Sequence, residues 1–227
     1  MHILILLAIL LLLIIGPGVW VRRVMARYSE PADRYGHTGA ETARRLLDAL
    51  GLGEVKVEVS DSGDHYDPGA RAVRLSPGNF QNRSLTAVTV AAHEVGHALQ
   101  DASGYPPLKL RSRLIRWLGP VEKTGALLMM ATPLIIGVTR LPMAGALMLL
   151  GGLLTLGSAV AVHLLTLPTE IDASFGRALP LLRKHDVLYA SDGKHARKLL
   201  RAAAMTYVAA SLMSLLNVAR WIAILRR

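Results

Sequence analysis

The sequence predicts an α+β membrane protein, mainly helical, with a small sheet and three to four transmembrane helices. Three observations lead there. Of the 227 residues 52% are hydrophobic, and they gather in blocks. Lys and Arg number 26 against 16 Asp and Glu, a formal charge of +10, and the arginines cluster at the block edges. Between the first block and the next lies a polar stretch in which helical and period-two patterns follow one another. This combination excludes a disordered chain and, with no cysteine, a disulfide-stapled domain or a metal site with thiolate ligands. Only 5% of the residues are aromatic and no nucleic-acid-binding motif is found. The partner expected for the charge is therefore the lipid bilayer with its anionic headgroups, not nucleic acid.

Residues 1–21 read as an N-terminal transmembrane anchor. Ile3 to Val21 is a run of 19 residues without a charge, enough to cross a hydrocarbon core of about 30 Å at about 1.5 Å per residue. Met1 and His2 supply no Lys or Arg, and the run ends in Gly16, Pro17, Gly18, Val19, Trp20 and Val21 before Arg22 and Arg23, so it reads as a retained anchor and not as a cleaved signal. Residues 118–167 read as a transmembrane hairpin divided at Arg140, Leu141 and Pro142. One arm is Thr124 to Thr139, extended toward Trp117 and Leu118; the other is Leu141 to Thr169, with His163 as its ionisable group before Glu170. Residues 202–227 form a C-terminal apolar helix whose core, Ala202 to Ala219, either spans or lies at the interface. Arg22, Arg23 and Arg27 follow the anchor, and Arg177, Arg183, Lys184, Lys194, Arg197, Lys198 and Arg201 follow the hairpin. The positive-inside rule puts both flanks on the cytoplasmic side.

The segment 22–117 carries the α+β pattern. Thr38 and Glu41 form a capping box at the start of a helix over 38–50, with an apolar stripe at Ala43, Leu46, Leu47 and Leu50 and Gly51 closing it. Val55, Val57 and Val59 alternate with Lys56 and Glu58 as a strand does. Turns at Ser60 to Asp64 and at Asp67, Pro68 and Gly69 bracket His65 and Tyr66, and Ala70 to Ser76 is another strand candidate. A second helix starts at an N-cap, Ser84, runs to about Asp101 and stops at Ser103 and Gly104. This unit is small, so packing against the membrane helices is expected to complete its core.

That second helix contains His93, Glu94, Val95, Gly96 and His97. Histidines at i and i+4 share one helical face, so both imidazoles can reach one tetrahedral zinc at about 2.0–2.1 Å. Glu94 can project toward an open fourth position and take a proton from the attacking water. A third ligand must come from the remaining chain. The candidates are Asp101, Glu122, His163, Glu170, Asp172, His185, Asp186, Asp192 and His195. Glu170 is preferred because it begins a polar helical stretch where the chain returns from the hairpin.

Four motifs in order resemble the bacterial YugP-like family of membrane-bound neutral zinc metallopeptidases. They are Gly63 to Pro68, Val73 to Asn79, Ala91 to Gln100, and Pro168 to Ser174. The chain is more distantly similar to HtpX and the CAAX prenyl proteases. The resemblance implies one catalytic zinc ion held by His93, His97 and Glu170, with Glu94 as general base, in a membrane-bound bacterial protein; with the apolar runs and basic flanks above, the expectation is a multi-pass protein of a bacterial-type inner membrane whose site faces the cytoplasm. It also places a helical segment with the third ligand at 168–201. The distant relatives carry Asp four residues after the ligand Glu, where this chain has Ser174, and this leaves the role of Asp172 open.

Around this centre, His65 and Tyr66 are candidate oxyanion donors, and Gln100, Asp101 and Asp172 are candidates to support the ligands. Strand 70–75 is a candidate edge strand for substrate. The expectation is a membrane-bound zinc metalloendopeptidase that cleaves membrane or juxtamembrane proteins. The rival is a membrane protein whose zinc only braces an interaction scaffold, a role that has no use for Glu94.

Overall fold

The computed structural model describes residues 2–206, 208 and 209. Its elements are α1 (His2–Arg27), α2 (Gly39–Ala49), β1 (Lys56–Val59), β2 (His65–Asp67), β3 (Ala72–Leu75), α3 (Pro77–Gln81), α4 (Leu85–Ala102), α5 (Pro106–Thr139), α6 (Pro142–Ile171), a π-helical segment (Asp172–Ala178), α7 (Leu179–Lys184), a short 3-10 turn (Ala190–Asp192) and α8 (Gly193–Ala204). The chain divides into two compact units. One takes in residues 1–18, 110–166 and 207–227, and the other residues 19–109 and 167–206.

The first unit contains the turn between α5 and α6, at Arg140 and Leu141, where the sequence places the division of a hairpin. The two helices approach closely at glycines. A Cβ on Gly152 would stand 2.3 Å from Met129 Cγ, and one on Gly125 would stand 2.0 Å from Thr155 Oγ1. The predicted three to four transmembrane helices are overturned: among the described residues no helix is long and apolar enough to cross a membrane. In α5 the apolar run shares one helix with Lys109, Arg111, Arg113, Arg116 and Lys123. In α1 and α6, part of the apolar run counted in the sequence lies outside the described side chains, among them that of His163. The orientation deduced from such spans loses its basis with them. Of the predicted C-terminal apolar helix, Ala202 to Ala204 end α8 as buried residues, and residues 207 and 210–227 lie outside the described ones.

The second unit is built around α4. Ser84 starts the helix, its hydroxyl accepting from the N–H of Ala87 at 3.1 Å. Gly104, with φ +67°, takes the left-handed conformation that ends it. Val90, Ala91, Ala92, Val95 and Ala98 of α4 share one core with Ala43, Leu46 and Leu47 of α2, Val73 and Leu75 of β3, and Leu182 and Leu200. The capping box of α2 forms as the sequence predicts, with Thr38 Oγ1 accepting from Glu41 N and Glu41 accepting from Thr38 N. The following Gly39 seats the first turn against α3, since a Cβ there would meet the Asn79 carbonyl oxygen at 2.1 Å.

The three-stranded sheet has the order β1-β3-β2. β3 pairs in parallel with β1, Val57 opposite Val73, and antiparallel with β2, Tyr66 opposite Val73. Asp67 Oδ1 accepts from the N–H groups of Gly69 and Ala70 to shape the β2–β3 turn. The expectation that strand 70–75 is an edge strand is therefore corrected. β3 is bonded on both sides, because its buried Ala72, Val73 and Leu75 make it the most apolar of the three strands. Pro168 lies inside α6, which continues to Ile171. Proline forfeits one backbone hydrogen bond there, and the widened π-helical turns follow at once.

A polar clasp lies near the start of α4, where Tyr35 packs with Leu85 and Val88. Arg34 Nε and Nη2 donate to Asp192 Oδ2 and Oδ1 at 2.9 and 2.8 Å, and Tyr35 OH donates to the same carboxylate. Burial would raise the Asp192 carboxyl, but hydrogen bonds from Arg34 and Tyr35 and the Arg34 charge hold it below the usual carboxylate range. A carboxyl depressed in the folded state gives stability that is full above its unfolded pKa, about 3.9, and is lost as pH falls through the folded value. Asp192→Asn is expected to cost about 1–2 kcal/mol at neutral pH, less than a fully buried pair because the Arg34 side chain is 37% exposed. Urea unfolding should show the gap from wild type narrowing below about pH 3.9; an equal gap at both pH values would exclude this origin.

Candidate metal centre

The two histidines of α4 are buried, His93 being 4% and His97 3% exposed. Their rings meet edge to face with centroids 4.8 Å apart. The i, i+4 spacing on one helix turn accounts for that pairing. From the end of α6, Glu170 brings its Oε2 to 3.2 Å from His93 Nε2 and 3.3 Å from His97 Nε2. Among the described residues these three form the group of His, Asp and Glu side chains that could hold a metal ion, with one donor atom each and all donors within 4.8 Å of one another.

The fit to zinc can be tested on these distances. Two donors about 2.05 Å from a tetrahedral zinc stand about 3.3 Å apart, which is the separation found between Glu170 and each histidine. Two imidazoles and one carboxylate are also a known zinc donor set. Burial argues the same way, because a carboxylate taken out of water is costly unless cationic or hydrogen-bonding partners compensate it.

The remote nitrogens are held as well. His93 Nδ1 lies 3.0 Å from Ser174 Oγ, and Ser174 Oγ donates to the Leu200 carbonyl at 3.1 Å. His97 Nδ1 lies 2.9 Å from Gln100 Oε1. Gln100 Nε2 donates to the Thr169 carbonyl and to Asp172 Oδ2, both at 2.8 Å. Arg177 Nε donates to that same Asp172 oxygen at 2.8 Å, while its guanidinium lies 5.4 Å from the centre of the Tyr105 ring. Burial would raise the Asp172 carboxyl, but the hydrogen bonds from Arg177 and Gln100 outweigh it and hold it low.

Glu94 follows His93 on the buried face and is 6% exposed. Burial pushes its carboxyl above the ordinary value, with the charges of Glu170 and Asp64 adding to the rise and the two histidines opposing it.

The other candidates read from sequence are placed elsewhere. Tyr66 OH donates to Asp101 Oδ2 at 2.8 Å, tying β2 to the end of α4. His65 Nδ1 donates to the Gly63 carbonyl at 3.0 Å. Asp192 binds Arg34, and His195 Nδ1 meets Tyr28 OH at 2.9 Å. The Glu122 and His163 side chains lie outside the described residues. Ser174, which stands where the distant relatives carry Asp, is the contact to which the sequence assigns no role, and its spacing four residues after Glu170 is the signal for it.

A buried pair of histidines one helical turn apart and a carboxylate from a second helix make up a donor set of the kind that holds zinc. The chain belongs to the family described as "Putative neutral zinc metallopeptidase", whose model matches residues 3–226. It is similar to "Putative membrane protease YugP" of Bacillus subtilis (strain 168), with 38% identity over 217 residues and 92% of each chain covered. No solved structure matches the chain.

Proposed function

We propose that the protein is a zinc-dependent endopeptidase in which His93, His97 and Glu170 hold one zinc ion and Glu94 is the general base. The observation that carries this reading is the meeting of both Nε2 atoms with the Glu170 carboxylate in a buried site beside Glu94. A bound zinc would supply a Lewis acid that brings the pKa of water toward about 7 and polarises a scissile carbonyl. Glu94 takes the proton of the attacking water and delivers it to the departing amine, which is why its raised affinity for a proton suits the task. Neither His65 nor Tyr66 is assigned the oxyanion contact, because the His65 Nδ1 proton goes to the Gly63 carbonyl and the Tyr66 hydroxyl proton to Asp101.

The substrates proposed are proteins or peptides associated with a lipid surface. The name of the Bacillus subtilis relative is that of a membrane protease. The exposed Leu127, Met130, Leu134 and Val138 of α5 and Leu147, Leu150 and Leu154 of α6 offer apolar surface that suits lipid. The test is zinc content together with casein cleavage. Wild type is expected to bind one zinc per chain and to lose cleavage on chelation and regain it with zinc. Glu170→Ala is expected to lose zinc affinity. Zinc bound with no cleavage would favour the scaffold reading, and unchanged zinc affinity in Glu170→Ala would remove the third ligand.

A further inference from the structure

We infer that Gln100 is a positioning residue for this site: a neutral relay that links Asp172 to His97 and, together with Ser174 acting on His93, sets which nitrogen of each histidine faces the metal. The inference rests on the zinc-site reading above. Gln100 is fully buried, and its amide nitrogen faces two acceptors, the Thr169 carbonyl and Asp172 Oδ2. Turning the amide over would set its oxygen against both of those oxygens, so its orientation is fixed by its surroundings. Gln100 Oε1 must then face His97 Nδ1. A carbonyl oxygen only accepts, so the ring proton sits on Nδ1 and the Nε2 lone pair is turned toward Glu170.

His93 reaches the same state by another route. Ser174 has one hydroxyl proton and gives it to the Leu200 carbonyl, which leaves its oxygen to accept from His93 Nδ1. Thr169, Asp172 and Ser174 flank Glu170, so the stretch that brings the third ligand also fixes the other two. At Nδ1 His93 meets the Ser174 hydroxyl and His97 the Gln100 amide oxygen, both neutral groups. The Asp172 charge is held one residue away, bonded to Gln100 and Arg177.

This predicts an unusual response to charge. A carboxylate partner ordinarily raises the basicity of a ligand histidine and helps the metal, so Gln100→Glu would tighten zinc if only that contact mattered. In the relay it does the reverse, because the new side chain has no N–H for Thr169 or Asp172 and places a carboxylate against a carboxylate. Zinc affinity of the full chain, read by competition with a chromogenic chelator, is expected to fall about tenfold to a hundredfold in Gln100→Glu. Adding Asp172→Asn, which restores a donor at that position, should recover part of the loss. NMR of the zinc-loaded wild type should show an exchange-protected Nδ1–H on both rings.

Equal or tighter zinc binding by Gln100→Glu, no recovery in the double variant, or zinc bound through Nδ1 of His97 would each overturn the relay. The wild-type spectrum decides the matter even where a variant does not fold. A wild type that binds no zinc would instead defeat the site reading, and that result is distinct from all three.

Discussion

Glu94→Gln is expected to keep its zinc and to lose peptide-bond cleavage by about 10²–10⁴-fold, the range that a positioned proton-transfer group contributes. The substitution is close to isosteric, and the amide has no basic oxygen to take a proton from water. The metal-binding group does not include Glu94, since the donors that converge are those of His93, His97 and Glu170. Stability separates this outcome from damage to the fold. Glu94 is a buried carboxyl near a second one, and burial and Glu170 both disfavour its charged form. Replacing it with a neutral side chain should therefore leave the melting temperature unchanged or raise it. Zinc content, casein cleavage and thermal unfolding on one preparation test the three parts together. Cleavage at the wild-type rate would rule out Glu94 as the base, and a large drop in melting temperature would contradict its place as a buried, mutually repelled carboxyl.

The parts of this protein legible in its sequence are those set by short-range chemistry. The Thr38–Glu41 capping box, the Ser84 start of α4 and the pairing of His93 with His97 each depend on residues within one helical turn, and each appears in the structure. Glu170 is legible less directly, from the polar stretch after an apolar run, and its carboxylate stands against both histidines. What was not legible depends on tertiary pairing. The 70–75 pattern is compatible with an edge or a central strand, and only the partners of β3 on both sides decide it. Hydrophobic run length suggested membrane spans, but where a helix begins matters as much as where its apolar residues lie. The apolar part of α5 belongs to a helix that starts at Pro106 and carries a basic first half.

The same distinction applies around the candidate site. The role of Asp172 stays open in the sequence because two positions after Glu170 is off its face on a regular α-helix. The π-helical turns that begin at Asp172 alter the angular spacing, and Asp172 and Ser174 reach Gln100 and His93 respectively. No local composition signal marks a π-helical turn, so the helical-wheel argument fails where the helix widens.

Gly96→Ala is the second large effect. In the sequence this glycine is simply part of an apolar helix, and alanine there should favour the helix by about 1 kcal/mol. In the structure a Cβ at position 96 would stand 2.6 Å from the Ala173 carbonyl oxygen, 3.3 Å from its carbon and 3.4 Å from its Cα. All three are backbone atoms, so no rotamer change relieves the contact and the π-helical segment must retreat from α4. Glu170, Asp172 and Ser174 flank Ala173 and make the contacts to His93, His97 and Gln100. A retreat of even part of an ångström therefore spoils the donor geometry. The expected result is a net destabilisation of about 1–3 kcal/mol, as in overpacked cores, with zinc affinity lowered at least about tenfold. Gly157→Ala is the control, since among the described residues nothing lies within 4 Å of a Cβ there, and helix propensity should make it neutral or slightly stabilising. If Gly96→Ala behaved like this control in both urea unfolding and zinc competition, the close approach of Ala173 to α4 could not be what holds Glu170 against the two histidines.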